Sequence, residues 1–261
     1  MSETSGERYL TATRHIWDVV SGQMDTIRKV ADMFASTILS GRMVHLFGSG
    51  HSRIMVEEMW PRYGSFPGFH PIVELSLTYH HDVVGANGQR QAMFLENVSG
   101  LADRILRNFD ISEQDAALVI SSSGCNVVPV EMAEGFRQRG VKVVGMVSRE
   151  HSNASSSRHP KGVKLSDLSD VVLDTGAPVG DAMVSIDGLE TPVSPGSTVG
   201  GCLLINCIKA EVADRLTQAG HPPKVLTASA VVGSEKATSL FEAAYDEHGR
   251  RIAQLYSDLG Q

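Results

Sequence analysis

The stretch Met43–Trp60, MVHLFGSGHSRIMVEEMW, carries the reading of the fold. Met43–Phe47 is a short, mostly apolar run of strand length, and it stops at the Gly-Ser-Gly of GSGHS, Gly48 to Ser52. Ile54–Trp60 then takes up helical spacing. A strand that turns at once into a helix is half of a β-α-β unit. The same grammar recurs at Ala116–Ile120, followed by SSSGCN, Ser121 to Asn126, and a helical segment over Val128–Arg139. Further apolar runs stand at Pro71–Leu75, Lys142–Val147 and Asp170–Leu173, separated by helix-length segments. None alternates polar with apolar residues, as expected of parallel strands covered on both faces. The expectation is an α/β fold: a three-layer αβα sandwich around a doubly wound, mainly parallel five-stranded sheet.

Outside these units, Glu7–Ser40 contains no proline. Ile16, Val19, Val20, Met24, Ile27, Val30, Met33 and Phe34 recur at spacings that predict one long amphipathic N-terminal helix. Residues 151–160 and 174–195 read as loops, and Val199–Leu216 returns to helical periodicity. Pro222 and Pro223 end that helix, and Glu235–Leu259 predicts another. The organisation expected is one domain over residues 1–261. It comprises the N-terminal helix (7–40), an α/β core (41–216) and a C-terminal extension with a helix (217–261).

A net charge of -7 gives no broad attraction to nucleic acid or to an anionic membrane, so an anionic ligand has to be held by local groups. No apolar run reaches the roughly 20 residues that span a bilayer, and MSETSGERYL lacks the basic-then-apolar order of a secretion signal; a cytoplasmic protein is expected. Cys125, Cys202 and Cys207 have no CxxC spacing and read as reduced thiols. The histidines form no HxH or HExxH pattern, so neither a metal nor another cofactor is expected.

Ligands of open parallel sheets bind beyond the carboxyl ends of the strands, which is where GSGHS and SSSGCN fall. Glycine lets the backbone come close to a ligand, hydroxyls donate, and the free N–H groups of a helix start face an anion. GSGHS is not a dinucleotide fingerprint, because Arg53 stands where the third glycine of GxGxxG belongs. It is not a GxSxG nucleophile turn either.

These residues resemble the SIS (sugar isomerase) domain family over about residues 10–216. GSGHSRIMVEE resembles its first loop and helix. SSSGCN is similar to its S-x-S-G-x-[ST] phosphate loop, with Asn126 at the last hydroxyl position, and SPGST, Ser194 to Thr198, is similar to its third, helix-capping loop. EEMWPRYG and STVGGCLLINCIKAEV place it near a branch of phosphosugar isomerase-like proteins, with phosphoheptose isomerases and N-acetylmuramic acid 6-phosphate etherases more distant. The resemblance implies that Ser121, Ser123, Asn126 and the backbone of Gly124 hold the anionic head of a sugar. Ser49, Gly50, Ser52 and Ser197 would assist. It also implies a homodimer or homotetramer in which one copy helps complete the site of the other.

Aldose–ketose isomerisation needs a base to take a proton alpha to a carbonyl and a donor for the oxygen. Glu57 and Glu58 are adjacent on a helix, so they point about 100 degrees apart and only one can face a given site. The resemblance of EEMWPRYG to the catalytic glutamate segment of phosphoheptose isomerases and of the etherases selects Glu58 as base, facing the serine pocket. His51, inside the first loop, and His81, in Tyr79–Asp82, are candidate acids or donors. Glu96 and Asp181 are further carboxylates near the site, and Lys209 reads as an ordinary solvated lysine. The leading expectation is a cofactor-independent isomerase of an anionic sugar. The alternatives are a phosphosugar lyase or etherase, a sulfosugar isomerase, and a non-catalytic phosphosugar sensor.

Overall fold

The computed structural model describes residues 3–78 and 88–257. The chain begins with α1 (Ser5–Ser21) and α2 (Met24–Leu39), then β1 (Val44–Gly48), α3 (Arg53–Met59), β2 (Phe69–Ile72), α4 (Leu75–Thr78), α5 (Gly88–Leu95) and α6 (Leu101–Leu106). It continues through β3 (Ala116–Ile120), α7 (Val127–Gln138), β4 (Lys142–Val147), α8 (Arg149–Ala154) and β5 (Val171–Asp174). A hairpin of β6 (Ala182–Val184) and β7 (Val193–Pro195) precedes α9 (Ser197–Gln218), α10 (Ser229–Val232) and α11 (Ser234–Gln254). No helix among the described residues is long and apolar enough to cross a membrane.

The main sheet has five strands, all parallel, in the order β2-β1-β3-β4-β5. Successive strand residues point to opposite faces, so one strand feeds two cores. Val44, Leu46, Ala116, Leu118 and Ile120 pack against α1, α2, α3 and α9. Phe47, Ala117 and Val119 pack on the other face against Ala102, Leu106, Met132, Ala133 and Phe136 of α6 and α7. The strand order reverses direction between β1 and β3, the switch point at which a doubly wound sheet opens a crevice beyond its carboxyl edge.

The N-terminal segment forms two helices where periodicity predicts one. The Thr4 hydroxyl accepts from Glu7 N–H while the Glu7 carboxylate accepts from Thr4 N–H, a reciprocal cap that starts α1. The break falls at Gly22–Gln23, and its cause is tertiary. Gln23 Nε2 donates to the carbonyl of Asp174 at 2.8 Å, and its Oε1 accepts from Asp174 N–H at 2.8 Å, which ties the junction to the end of β5. Both helices keep their apolar stripes, so the periodicity ran through the break. The 174–195 region, read as loop, carries the β6–β7 hairpin, and α8 extends into the 151–160 loop.

Candidate active site

Both serine loops leave the sheet at the switch point, side by side on β1 and β3. After β1 the backbone folds back on itself: a Cβ at Gly48 would lie 2.6 Å from the carbonyl oxygen of Ser52, and Gly50 has φ +56°. After β3, Gly124 takes φ +62°, and a Cβ there would press on Val147 at 3.1 Å. Its N–H donates to Ser121 Oγ at 3.2 Å and its carbonyl accepts from Leu165 N–H at 2.9 Å. Gly124 therefore shapes the loop from behind and does not line the cleft.

Between the loops lies a cleft of about 240 Å³. It is lined by Ser49, Gly50, His51 and Ser52 from the first loop, and by Ser121, Ser122, Ser123 and Asn126 from the second. Ser197 and Thr198, at the start of α9, close a third side. The structure thus brings together the three segments that the sequence singles out. Asn126 is the N-cap residue of α7, with extended backbone and no side-chain cap bond, so its amide group is directed to other partners.

Glu96 provides that partner. The carboxylate stands one residue beyond α5 and enters the cleft, where Oε2 accepts from Asn126 Nδ2 at 2.5 Å and Oε1 accepts from the Ser49 hydroxyl. Arg158 donates to the Asn126 oxygen from behind at 3.2 Å. The Ser197 hydroxyl is likewise engaged: it donates to Asp181 Oδ2 at 2.6 Å. Asp181 Oδ1 accepts from the N–H groups of Gly196 and Ser197 at 3.0 and 2.7 Å, so a carboxylate of the chain caps α9. Asp181 holds φ +69°, a left-handed conformation uncommon for any residue but glycine, and the cap fixes it there.

His151 also lines the cleft, a position that sequence reading left in a loop. Gly180 N–H donates to its Nδ1 at 3.2 Å, which fixes the neutral ring with its proton on Nε2. Only the fold shows this, because His151 stands on α8 and its partner on the loop after β5. Thr175, at the end of the same edge, lines the cleft while 98% buried, and its hydroxyl has no hydrogen-bond partner among the described residues.

Glu58 is not in this cleft. It lines a separate depression with Ile54, Glu57, Arg62, Tyr63, Leu226, Phe241 and Tyr245, which corrects the expectation that it faces the serine pocket. The reason is helical phase: α3 turns Met55, Val56 and Met59 into the core, which leaves Glu58 on the flank toward α9. Its Oε1 accepts from Asn206 Nδ2 at 2.8 Å and its Oε2 from Arg62. Burial works to raise the Glu58 carboxyl, but Asn206 and Arg62 outweigh it and hold the group below the usual range. Glu57 pairs with Arg53 on the surface. Lys209 is not solvated: it is 5% exposed, donates to the carbonyl of Glu58 at 2.8 Å and to Ser65 Oγ at 3.1 Å, and its ammonium is pushed below its usual range by burial. His81 lies outside the described residues.

A family model described as SIS domain matches residues 8–148, more than half of the chain. The chain belongs to the SIS domain family. Within it, a UPF0309 protein of Halalkalibacterium halodurans is 35% identical over 222 residues, covering 85% of this chain and 89% of that protein. A UPF0309 protein of Listeria innocua is 31% identical over 246 residues, covering 94% and 96%. Among solved structures, phosphoheptose isomerase from Neisseria gonorrhoeae superposes with a TM-score of 0.51 at 13% identity, covering 79% of this chain and 95% of that one. The sugar isomerase domain of the RpiR transcription factor from Sphaerobacter thermophilus does so with a TM-score of 0.50 at 13% identity, covering 94% and 99%. These two share the SIS fold with this chain. The serine cleft lies at the switch point of that fold, partly within the segment that the family model matches.

Proposed function

We propose that this SIS protein binds an anionic sugar, a sugar phosphate in the first instance, in the serine cleft and interconverts its aldose and ketose forms without a cofactor. The observation that carries this reading is the convergence, in one cleft, of hydroxyls from the loops after β1 and β3 with two imidazoles and two carboxylates. Family membership and the isomerase activity named for the Neisseria gonorrhoeae neighbour support the substrate class. The second loop receives the anionic head, and the sugar chain runs toward His51 and His151.

In this reading His51 takes the proton from the carbon alpha to the carbonyl, while the Nε2–H of His151 hydrogen-bonds to the carbonyl oxygen and stabilises the enediolate that forms. The proton of the neighbouring hydroxyl passes to the enediolate oxygen, and His51 returns its proton to the former carbonyl carbon, which leaves the carbonyl on the alpha carbon and completes the exchange. An imidazole can give and take a proton near neutral pH, which both half-steps require. Glu58 would serve as base only if a second copy of the chain carried it over the cleft. The exposed Ile54, Tyr63, Phe241 and Tyr245 around its depression are the surface such a copy would cover in a homodimer or homotetramer.

The deciding experiment is proton NMR in deuterium oxide with a panel of sugar phosphates and sulfosugars. Deuterium at the alpha carbon together with the isomeric sugar is the expected outcome. His51→Ala is expected to lower the rate by about 100-fold or more, as for loss of a general base, while ligand still binds. Glu58→Gln is expected to stay close to the parent rate. A comparable loss in Glu58→Gln with His51→Ala silent would return the base to Glu58 and make the site a two-copy one. An eliminated product would mark a lyase, and binding with no exchange at all a sensor.

A further inference from the structure

Two of the donors that the anion reading assigns to the ligand are already in use. Ser49 Oγ, from the loop after β1, and Asn126 Nδ2, from the loop after β3, both donate to the carboxylate of Glu96. These three residues lie 47 and 30 positions apart in the chain, so the contact is made by the fold and not by local sequence. A carboxylate presents oxygen lone pairs much as a phosphoryl group does. No lysine or arginine is among the described residues that line the cleft, and Glu96 brings its charge to a hydroxyl and an amide donor.

A second observation points to an absent acceptor. Thr175 is 98% buried on the cleft wall with its hydroxyl unpartnered, and the buried Ser122 hydroxyl is also without a partner among the described residues. A buried hydroxyl left unmatched costs about 1–3 kcal/mol. The cleft therefore holds more donors than the described residues supply acceptors, even with Glu96 in place. The Glu96 backbone is anchored at both ends: its N–H donates to Ala92 and its carbonyl accepts from Val128 N–H, each at 2.9 Å. Side-chain rotation alone is enough to withdraw the carboxylate. Asp181, the other carboxylate of the cleft, is held by Gly196 and Ser197 and has no such freedom.

We propose that Glu96 is a built-in competitor for the ligand's anion: its carboxylate occupies Ser49 and Asn126 in the empty protein, and a ligand binds by displacing it. This rests on the reading that the serine loops hold an anion. Its consequence is selectivity. Free phosphate or sulfate has only the loop to gain and competes poorly with a tethered carboxylate, whereas a sugar-borne anion gains contacts along the rest of the cleft. The apparent affinity for any anion is reduced by the fraction of molecules in which Glu96 is already withdrawn.

The test is calorimetric titration with inorganic phosphate of the full chain, Glu96→Gln, Glu96→Ala and the Glu96→Ala/Ser123→Ala double variant. Thermal midpoints of the unliganded proteins are recorded alongside. The expected result is weak binding by the parent, binding about tenfold or more tighter in both single variants because the competent fraction approaches one, and loss of that gain in the double variant. Phosphate binding that depends on Ser123 but is no tighter without Glu96 overturns the competitor and leaves the anion site standing. Phosphate binding that ignores Ser123, or is undetectable throughout, overturns both. Loss of the folded state in Glu96→Gln as well as in Glu96→Ala makes Glu96 a structural tie between the loops and also overturns the proposal.

Discussion

The two ends of the parallel sheet treat polar side chains in opposite ways. At the amino end, Asp115 is fully buried and accepts from everything around it: Arg42 Nε at 3.0 Å and Nη2 at 2.8 Å, Ser112 N–H at 2.8 Å and Met43 N–H at 3.2 Å. His45 Nε2 stands 3.3 Å from the same carboxylate, and its Nδ1 meets Nδ1 of the buried His70 at 2.8 Å. At the carboxyl end, the Ser49 hydroxyl donates to the Glu96 carboxylate, those of Ser121 and Ser123 accept from N–H groups of their own loop, and that of Ser122 has no partner among the described residues. A nearly complete network, in which His45 Nε2 is left without a bond among the described residues, returns most of its desolvation cost as rigidity, while a sparser one keeps capacity for a ligand. The fold therefore places closely paired polarity at one edge of the sheet and less fully paired polarity at the other.

The sharpest way to break this comparison is Asp115→Ala. It leaves the half-buried Arg42 and the buried His45 without their carboxylate and is expected to destabilise by about 3–5 kcal/mol, the range for breaking a buried pair. Chemical denaturation measures the loss. Sugar phosphate affinity in the protein that still folds should be unchanged.

Acid probes the same end. Burial first, then the His45 and His248 rings, pull the His70 imidazole from its usual 6.5 down to about 3, against a smaller opposing pull from Asp115. A histidine whose folded pKa is depressed binds its proton more readily in the unfolded chain. The associated stability is full above pH 6.5 and is lost as pH falls toward 3, on the order of 2–3 kcal/mol between pH 6.5 and 4. The buried Asp115 carboxyl, held low by His45 and Arg42 against burial, adds a loss of the same sign below its ordinary range. Thermal midpoints of His70→Phe that fall equally steeply over this interval would remove His70 as the cause.

Gly200→Ala tests whether the carboxyl end is soft throughout. A Cβ there would lie 1.8 Å from the backbone oxygen of Thr175, so α9 touches the sheet edge directly behind the cleft. A loss of about 1–3 kcal/mol is expected from the overpacking, read by denaturation. A silent substitution would mean that this edge yields as a whole. Ser123→Ala should have the smallest effect. It is expected to weaken sugar phosphate binding by about 1–2 kcal/mol, the worth of one hydrogen bond to a charged group, with little change in stability. Unchanged affinity in calorimetry would take Ser123 out of the ligand's reach.

The five strands were legible because buried parallel strands are unbroken apolar runs, and all five fall within a few residues of their expected places. The paired loops were legible because glycine and serine at a strand-to-helix junction have a local conformational cause. The break at Gly22 was not, since a stripe spaced by three and four continues through it and only the bond from Gln23 to Asp174 interrupts the helix. Glu58 shows the same limit. Its adjacency to Glu57 established that one of them faces away from any given site, but not what either would face.

By itself, the sequence determined the βα grammar, the parallel sheet and the two serine loops at its carboxyl edge, because each depends on residues next to one another in the chain. The tertiary structure alone decided that Glu96 reaches Ser49 and Asn126, that Gly180 fixes the His151 ring, that Asp181 caps α9, and that Lys209 is buried beneath Glu58. Each of these contacts joins residues 15 or more positions apart, and no spacing rule reaches across that distance. Their geometry follows from how the helices dock on the two faces of the sheet, which is set by the fit of whole apolar surfaces and not by any single segment.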